Sequence, residues 1–352
     1  MSKPGKFTRR SEHTRNSLLY VGMIFIVLFL LFATIFGVWW LLMPKSIDMK
    51  SQQELTNHQE IVAQQIETDV RHLAVNIGER NMHTTGTMDQ TVRFLTNRLE
   101  EIGYTPKLQS YTLNRGIYAG ESAKNIEVEI AGSENPEKVV AIGAHYDTVP
   151  NSPGANDNGS GVAVLMALAE AFVNADPPHK TVRFLFFANE EPPFFQTEDM
   201  GSYAYAKMAR ERGDDIETMI ALDGLGYYSS EPNSQAYPLP GLGFFYPKEA
   251  NFVGLVTRLS DLSLIKKISS AFKNAGHFPT ASAALPGFIP GVNWSDHWSF
   301  WQYDYPGLLI TDTLLFRDPH YHTPNDTPER LDYEMMARLT STLTDVMEEL
   351  AQ

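Results

Sequence analysis

The sequence predicts an α/β fold in which a mixed, largely parallel central sheet carries helices on both faces. Short apolar runs alternate with stretches of helical periodicity, and several runs are continuously apolar, as in strands covered on both sides. The strand-like runs span residues 125–131, 139–144, 182–188, 219–222 and 308–311. The helical stretches span residues 162–174, 202–212 and 333–350. One large domain accounts for most of the 352 residues.

The first 44 residues differ in composition from the rest of the chain. Residues 1–17 form a basic tail, and residues 18–44 carry no charged side chain, a length sufficient for one helix to cross a hydrocarbon core of about 30 Å. The alternative is a cleaved signal peptide, whose apolar stretch of about 7–15 residues would end in small side chains. Because this stretch ends near Trp39 and Trp40, we expect a single transmembrane anchor that precedes the α/β domain.

The basic tail sets the expected orientation of this anchor. Lys and Arg favour the cytoplasmic side of a membrane, so the N-terminus is expected in the cytoplasm and the domain in the periplasm or outside the cell. Residues 45–67 are expected to form a stalk or a leading helix, and residues 68–352 form the α/β domain. Apolar residues at helical spacing, among them Ile66 and Val70, favour the helix.

Charge and cysteine content exclude several classes of function. The formal net charge is −14, and the chain after residue 45 holds 22 basic and 41 acidic residues, a net charge of −19. Nucleic-acid binding depends on clustered Lys and Arg, so we expect no nucleic-acid partner. The chain has no cysteine, which excludes cysteine-based catalysis and disulfides.

Acidic residues and one histidine follow the ends of successive predicted strands. Ligand sites of such sheets lie at the carboxyl ends of the strands, so these side chains are expected to converge. Any one of them could be a helix cap or a solvated loop residue, but five bare carboxylates in one place would repel one another unless a divalent cation joined them. The residues are His145, Asp147, Asp157, Glu190, Glu191 and Asp223.

Several motifs resemble those of the two-zinc aminopeptidases related to bacterial leucyl aminopeptidase, glutaminyl cyclase and glutamate carboxypeptidase II. In chain order they are HYDTV, PGANDNGSG, NEE, MGS, LDGLGYY and YHTPNDT. The resemblance covers roughly residues 68–350. It implies a zinc exopeptidase fold of the phosphorylase/hydrolase-like kind for residues 68–352.

The resemblance also implies a role for each of the converging residues. His145 and Asp223 would hold one zinc ion, Glu191 and His322 would hold a second, and Asp157 would bridge the two. Two Zn²⁺ ions per chain are therefore expected, and imidazole and carboxylate groups are suitable zinc ligands.

Two further acids are expected to act without binding metal. Glu190 would be the catalytic base, and Asp147 would orient the ring of the ligating histidine. His320 competes with His322 for the last ligand position, and the YHTP motif favours His322.

The segment NWSDHWSFW, residues 293–301, resembles the family's substrate loop. Asp296, His297 and Trp298 are candidate substrate-binding residues, and the alternative is that this segment only packs. Phe194, Phe195, Phe300 and Trp301 are further candidates, with Trp298, for an apolar pocket.

The expected activity is hydrolysis of the first residue of peptides that have a free N-terminus. Glutaminyl-peptide cyclisation is the alternative, but it resembles a one-zinc variant of this scaffold that lacks the histidine at the position of His145. A catalytically inactive binding module is a second alternative. In such a module the metal residues would be replaced, whereas all of them are present here.

Overall fold

The computed structural model describes residues 7–47, 54–173, 175–276 and 278–352. These residues divide into two compact units, one up to residue 43 and one from residue 44 onward. Residues 1–6 of the predicted tail and residues 48–53 of the predicted stalk lie outside the described residues.

The first unit is one helix, α1, Phe7–Leu42, which includes most of the segment predicted to be an anchor. A helix that crosses a bilayer needs about 20 consecutive apolar residues. Over the residues that the structure describes, no helix meets the requirements of length and apolarity for a membrane crossing. The predicted transmembrane anchor over residues 18–44 is therefore not supported by the structure.

The second unit is built on one eight-stranded sheet. The strands are β1 Lys107–Thr112, β2 Ser122–Ile130, β3 Asn135–His145, β4 Lys180–Phe187, β5 Asp215–Leu222, β6 Val253–Arg258, β7 Thr280–Leu285 and β8 Gly307–Thr311. Their order across the sheet is β1-β2-β4-β3-β5-β8-β6-β7. The central strands β4, β3, β5 and β8 are parallel, whereas β2 and β6 pair antiparallel with β4 and β8. The predicted mixed, largely parallel sheet is confirmed.

Seven α-helices surround this sheet in the described residues of the second unit. They are α2 Asn57–Arg71, α3 Thr87–Ile102, α4 Gly161–Val173, α5 Gly201–Arg212, α6 Leu262–Ala275, α7 His297–Trp301 and α8 Tyr333–Leu350. Helices α2, α4, α6 and α8 pack together, while α5 packs against α7. Of residues 45–67, predicted to form a stalk or a leading helix, those from Asn57 onward lie in α2, which continues to Arg71. This helix begins at a capping box formed by Thr56 and Gln59.

The sheet is buried between these helix layers. Val139 and Ala141 of β3 pack with Tyr205 and Ala209 of α5, and every residue of β3 from Val139 to its end is buried. Burial on both faces explains the apolar runs within β3, β4 and β5, at residues 139–144, 184–187 and 219–222. Polar residues at the carboxyl ends of these strands consequently lie side by side at one edge of the core.

Candidate metal centre and active site

Five candidate ligands come from five separate segments at the carboxyl edge of the sheet. His145 is the last residue of β3, Asp223 directly follows β5, and Glu191 lies four residues after β4. Asp157 lies in the turn that precedes α4, and His322 lies in the loop after β8. All are buried except His322, whose side chain is 30% exposed.

The five side chains form two groups that share Asp157. In the first group, Nε2 of His145 lies 3.3 Å from Oδ1 of Asp223 and 3.5 Å from Oδ1 of Asp157. In the second group, Nε2 of His322 lies 3.0 Å from Oδ2 of Asp157 and 3.1 Å from Oε1 of Glu191. Each carboxylate oxygen of Asp157 therefore faces a different group.

This donor set fits zinc. Zinc binds imidazole nitrogen and carboxylate oxygen at about 2.0–2.2 Å, so ligand atoms of a tetrahedral site lie about 3.4 Å apart, close to the separations observed. Nε2 of His322 and Oε1 of Glu191 are buried without a hydrogen bond although they face each other. Buried polar atoms usually have a partner, and a cation between these two would provide one.

Asp147 connects the ends of two neighbouring strands. Its Oδ1 accepts a hydrogen bond from the backbone N–H of Glu190 at 3.0 Å, and its Oδ2 accepts one from the N–H of Glu191 at 3.1 Å. The same Oδ1 lies 3.5 Å from Nδ1 of His145. One buried carboxylate thus contacts the ring of His145 and fixes the backbone of the two glutamates.

The turn that carries Asp157 is held by residues that the sequence analysis did not single out. The carboxylate of Asp326 accepts hydrogen bonds from the backbone N–H groups of Asn156 at 2.7 Å and Asp157 at 3.1 Å. Asn158 donates to the carbonyl of Leu222 at 2.8 Å. Asp326 and Asn158 lie inside the motifs YHTPNDT and PGANDNGSG, so these motifs could have indicated them. Their backbone partners are distant in sequence and are known only from the fold.

Arg80 is a second residue that the sequence analysis missed. Its guanidinium is fully buried and donates to the carbonyls of Tyr146 at 2.8 Å, Pro153 at 2.7 Å and Gly154 at 2.8 Å. It therefore ties the end of β3 to the turn that carries Asp157. No motif marks it in the sequence.

Burial and like charges govern the protonation of the cluster. Burial raises the pKa of Glu190 well above its usual value, and the neighbouring Glu191 and Asp223 raise it further. Burial also raises the pKa of Glu191 to about 7. For His322, burial lowers the pKa, but Asp157 and Glu191 outweigh it and raise the pKa to about 10. The protein alone therefore holds protons here that a bound cation would displace.

The candidate substrate loop lies beside this cluster. Asp296 is fully buried, and burial raises its pKa to about 7. The ring of His297 donates from Nε2 to the carbonyl of Val292 at 2.8 Å, and burial lowers its pKa to about 4. Trp298 packs against Tyr203 with ring centroids 6.1 Å apart.

A cavity of about 290 Å³ opens onto the cluster of candidate metal ligands. Of the aromatic residues that we expected to line an apolar pocket, Phe195 lines this cavity. Phe194 instead contacts Tyr118, and Phe300 packs in the core against Phe187. Between the two competing histidines, His322 lies among the carboxylates, and no candidate metal group of the described residues includes His320.

Comparison with known proteins gives one family match. A family model described as Peptidase family M28 matches residues 125–347, which include all five candidate ligands and Glu190.

Two curated relatives and one solved structure illustrate the similarity. Uncharacterized protein YfbL of Escherichia coli K12 is 34% identical over 78% of this chain and 84% of its own length. A probable aminopeptidase of Saccharomyces cerevisiae, YDR415C, is 28% identical over 64% of this chain and 57% of its own length. The structure of BSAP, a zinc aminopeptidase from Bacillus subtilis, matches with a TM-score of 0.65 and 16% identity, and the match covers 85% of this chain and 97% of that one. This last likeness shows a shared fold.

Proposed function

The chain belongs to Peptidase family M28, and on this premise we propose that it is a metal-dependent aminopeptidase whose site holds two zinc ions bridged by Asp157. The observation that carries the proposal is the pair of ligand groups that share this carboxylate. His145 and Asp223 would complete the first zinc site, and Glu191 and His322 would complete the second. When bound, such a pair supplies an activated water and polarises the scissile carbonyl.

Glu190 belongs to neither ligand group of the described residues, and its carboxylate is free to move protons. Its Oε2 lies 3.9 Å from Nε2 of His145, so it faces the cluster. As general base it accepts the proton of the attacking water, and as general acid it then gives that proton to the leaving amine. The hydrogen bond from its backbone N–H to Asp147 fixes its position for both steps.

The requirement for a free N-terminus is what the family resemblance implies, and the acidic lining of the cavity supports it. An α-amino group is a cation near neutral pH, and the carboxylates of Glu190, Glu191 and Asp157 line the same cavity. A peptide whose amine is acetylated loses both the charge and the donors that would contact these oxygens. Cleavage is therefore restricted to the first residue.

The test follows release of free amino acids by the zinc-loaded full chain from unblocked peptides and from their N-acetylated counterparts, with and without a chelator. We expect release only from unblocked peptides and only without chelator. Cyclisation of N-terminal glutamine without peptide cleavage would reject the aminopeptidase proposal and would identify the protein as a glutaminyl-peptide cyclase. No turnover of either kind by properly folded, zinc-loaded protein would reject both activities.

A matched pair of variants tests the role of Glu190. Glu190→Gln removes the base, which typically contributes about 10²- to 10⁴-fold to the rate, so kcat should fall by that order while zinc content is unchanged. Glu198→Gln makes the same change at an exposed residue nearby and should leave kcat at the wild-type value. Equal activity of the two variants would contradict the assignment. Inactivity of the wild type together with both variants would favour an inactive binding module.

We also propose, from the sequence, that the domain after residue 44 works outside the cytoplasm. The support is the basic tail that precedes a stretch without charged residues. In a bacterial host that expresses the full chain, protease added to spheroplasts should digest this domain. Digestion only after lysis would reject the proposed location.

A further inference from the structure

The floor of the cavity is one face of three adjacent strands. Gly254 of β6 pairs with Ala281 of β7 and with Thr311 of β8. Val256, two residues along β6, pairs with Ala283 in the same way. Because alternate residues of a strand share a face, these five positions form a continuous surface, and all of them line the cavity.

Small side chains make this floor deep. A Cβ added at Gly254 would lie 3.5 Å from Cγ2 of Thr313 and 3.6 Å from the carbonyl of Thr311, which are ordinary van der Waals contacts. A Cβ would therefore fit at position 254, and the surrounding backbone does not exclude residues larger than glycine. What the missing side chain leaves open is volume in the cavity, and Ala281 and Ala283 extend that volume along β7.

The walls above the floor are mostly apolar. Phe195, Leu242, Phe252, Val292 and Leu314 are among the lining residues. The acidic and histidine side chains that line the cavity are those of Asp157, Glu190, Glu191, Asp223 and His322, and the other lining residues are uncharged. A charged side chain on the floor would lose its hydration without gaining a partner of opposite charge there.

The volume of the cavity sets the size of its occupant. An apolar cavity of about 150 Å³ is enough to hold one benzene ring, and this cavity measures about 290 Å³. It has room for a two-ring side chain or for one ring together with part of the peptide backbone. A side chain as small as that of alanine would leave most of the volume unfilled.

We propose that this floor selects peptides whose first residue is a large aromatic one, and that Gly254 sets the upper limit on its size. The inference rests on the proposed aminopeptidase function and names its substrate class. The side chain of the first residue lies over β6, β7 and β8 while its amine and scissile carbonyl lie at the metal ligands.

The test measures kcat/KM of the full chain on a series of aminoacyl anilides in which only the first residue changes, from Ala through Leu to Phe and Trp, with Lys and Glu included. Burying a large side chain supports about a 100-fold advantage of Phe over Ala, with Trp also cleaved efficiently and Glu cleaved poorly. A preference for Ala, Leu, Lys or Glu over Phe and Trp in an active enzyme would overturn the inference and leave the aminopeptidase assignment intact. No release from any substrate would overturn both.

Variants of the floor locate the size limit. Gly254→Val places a branched side chain in the cavity, and overpacking of this kind should lower the Phe-to-Ala ratio of kcat/KM by about 10- to 100-fold with activity on Ala retained. Gly287→Val is the matched control, because Gly287 has nothing within 4 Å of an added Cβ and is not among the cavity-lining residues that the structure describes. Its ratio should equal that of the wild type.

A second variant tests the same floor independently in case Gly254→Val does not fold. Ala283→Leu fills the floor from β7 instead of β6 and should lower the same ratio. If either folded, zinc-loaded variant keeps the wild-type ratio, the floor does not contact the first residue and the inference is wrong.

Discussion

Replacement of Asp147 by asparagine probes how the site is held. The two carboxylate oxygens accept the backbone N–H groups of Glu190 and Glu191 at 3.0 and 3.1 Å, and one of them lies 3.5 Å from the ring of His145. An amide of the same shape has one carbonyl oxygen and one NH₂ group. One of the two backbone N–H groups must therefore face a donor, and the charge beside the histidine ring is lost.

The magnitude follows from these contacts. A buried N–H group left without an acceptor costs about 1–3 kcal/mol, so the free energy of unfolding of the metal-free protein should fall by about that amount. Residues that orient a metal ligand typically contribute about 10- to 100-fold to metal affinity. Asp147→Asn should therefore bind zinc about 10- to 100-fold more weakly.

Two assays on the same variant measure these effects. Urea unfolding of the metal-free protein gives the free energy of unfolding, and competition with a chromogenic chelator gives the zinc affinity. Asp261→Asn is the control, because the carboxylate of Asp261 is buried and accepts from the backbone N–H of Gly307 but lies outside the candidate metal groups. It should lose stability without losing zinc affinity. Wild-type zinc affinity in the Asp147 variant would refute the reasoning.

Two other predictions concern groups that support the fold. Arg80→Met removes hydrogen bonds to the carbonyls of Tyr146 and Pro153. The free energy of unfolding, measured by urea titration, should therefore fall by about 3 kcal/mol or more. An unchanged midpoint would show that these bonds do not stabilise the fold. Asp69 is buried, which raises its pKa from 3.8 to about 6, although Gln65 and Arg98 partly oppose the rise. The folded state therefore binds the proton more tightly, and wild-type stability should fall by up to about 3 kcal/mol as the pH rises from about 4 to 6. Asp69→Asn should remove that fall and be the more stable protein at pH 7, and parallel stability–pH curves would contradict the assignment.

The sequence predicted those parts of the sheet that are covered on both faces. Strands β3, β4, β5 and β8 each contain a buried apolar run that stands out from its surroundings. Strands β1, β6 and β7 were not predicted. β1 is a polar edge strand with exposed residues, and β7 consists largely of alanine, serine and threonine. Their identity as strands comes from pairing with distant segments, which local pattern does not contain.

The same distinction applies to the site. The ligands were predictable because each lies just after a strand or inside a motif, and the sheet brings such positions together. Arg80 contacts the site through backbone carbonyls of residues 146–154. Neither its residue type nor its position relative to the motifs predicts these contacts. The sequence did not predict the floor of the cavity for a related reason. Gly254 and Ala281 contribute to it through the small size of their side chains, which no motif marks.

The most direct test of the account is a crystal structure of the zinc-loaded protein with anomalous data collected at the zinc edge. We predict two anomalous peaks about 3.5–4 Å apart, one between His145 and Asp223 and one between Glu191 and His322, with one oxygen of Asp157 bound to each. A single peak at full zinc loading, or two peaks that do not share Asp157, would contradict the central claim.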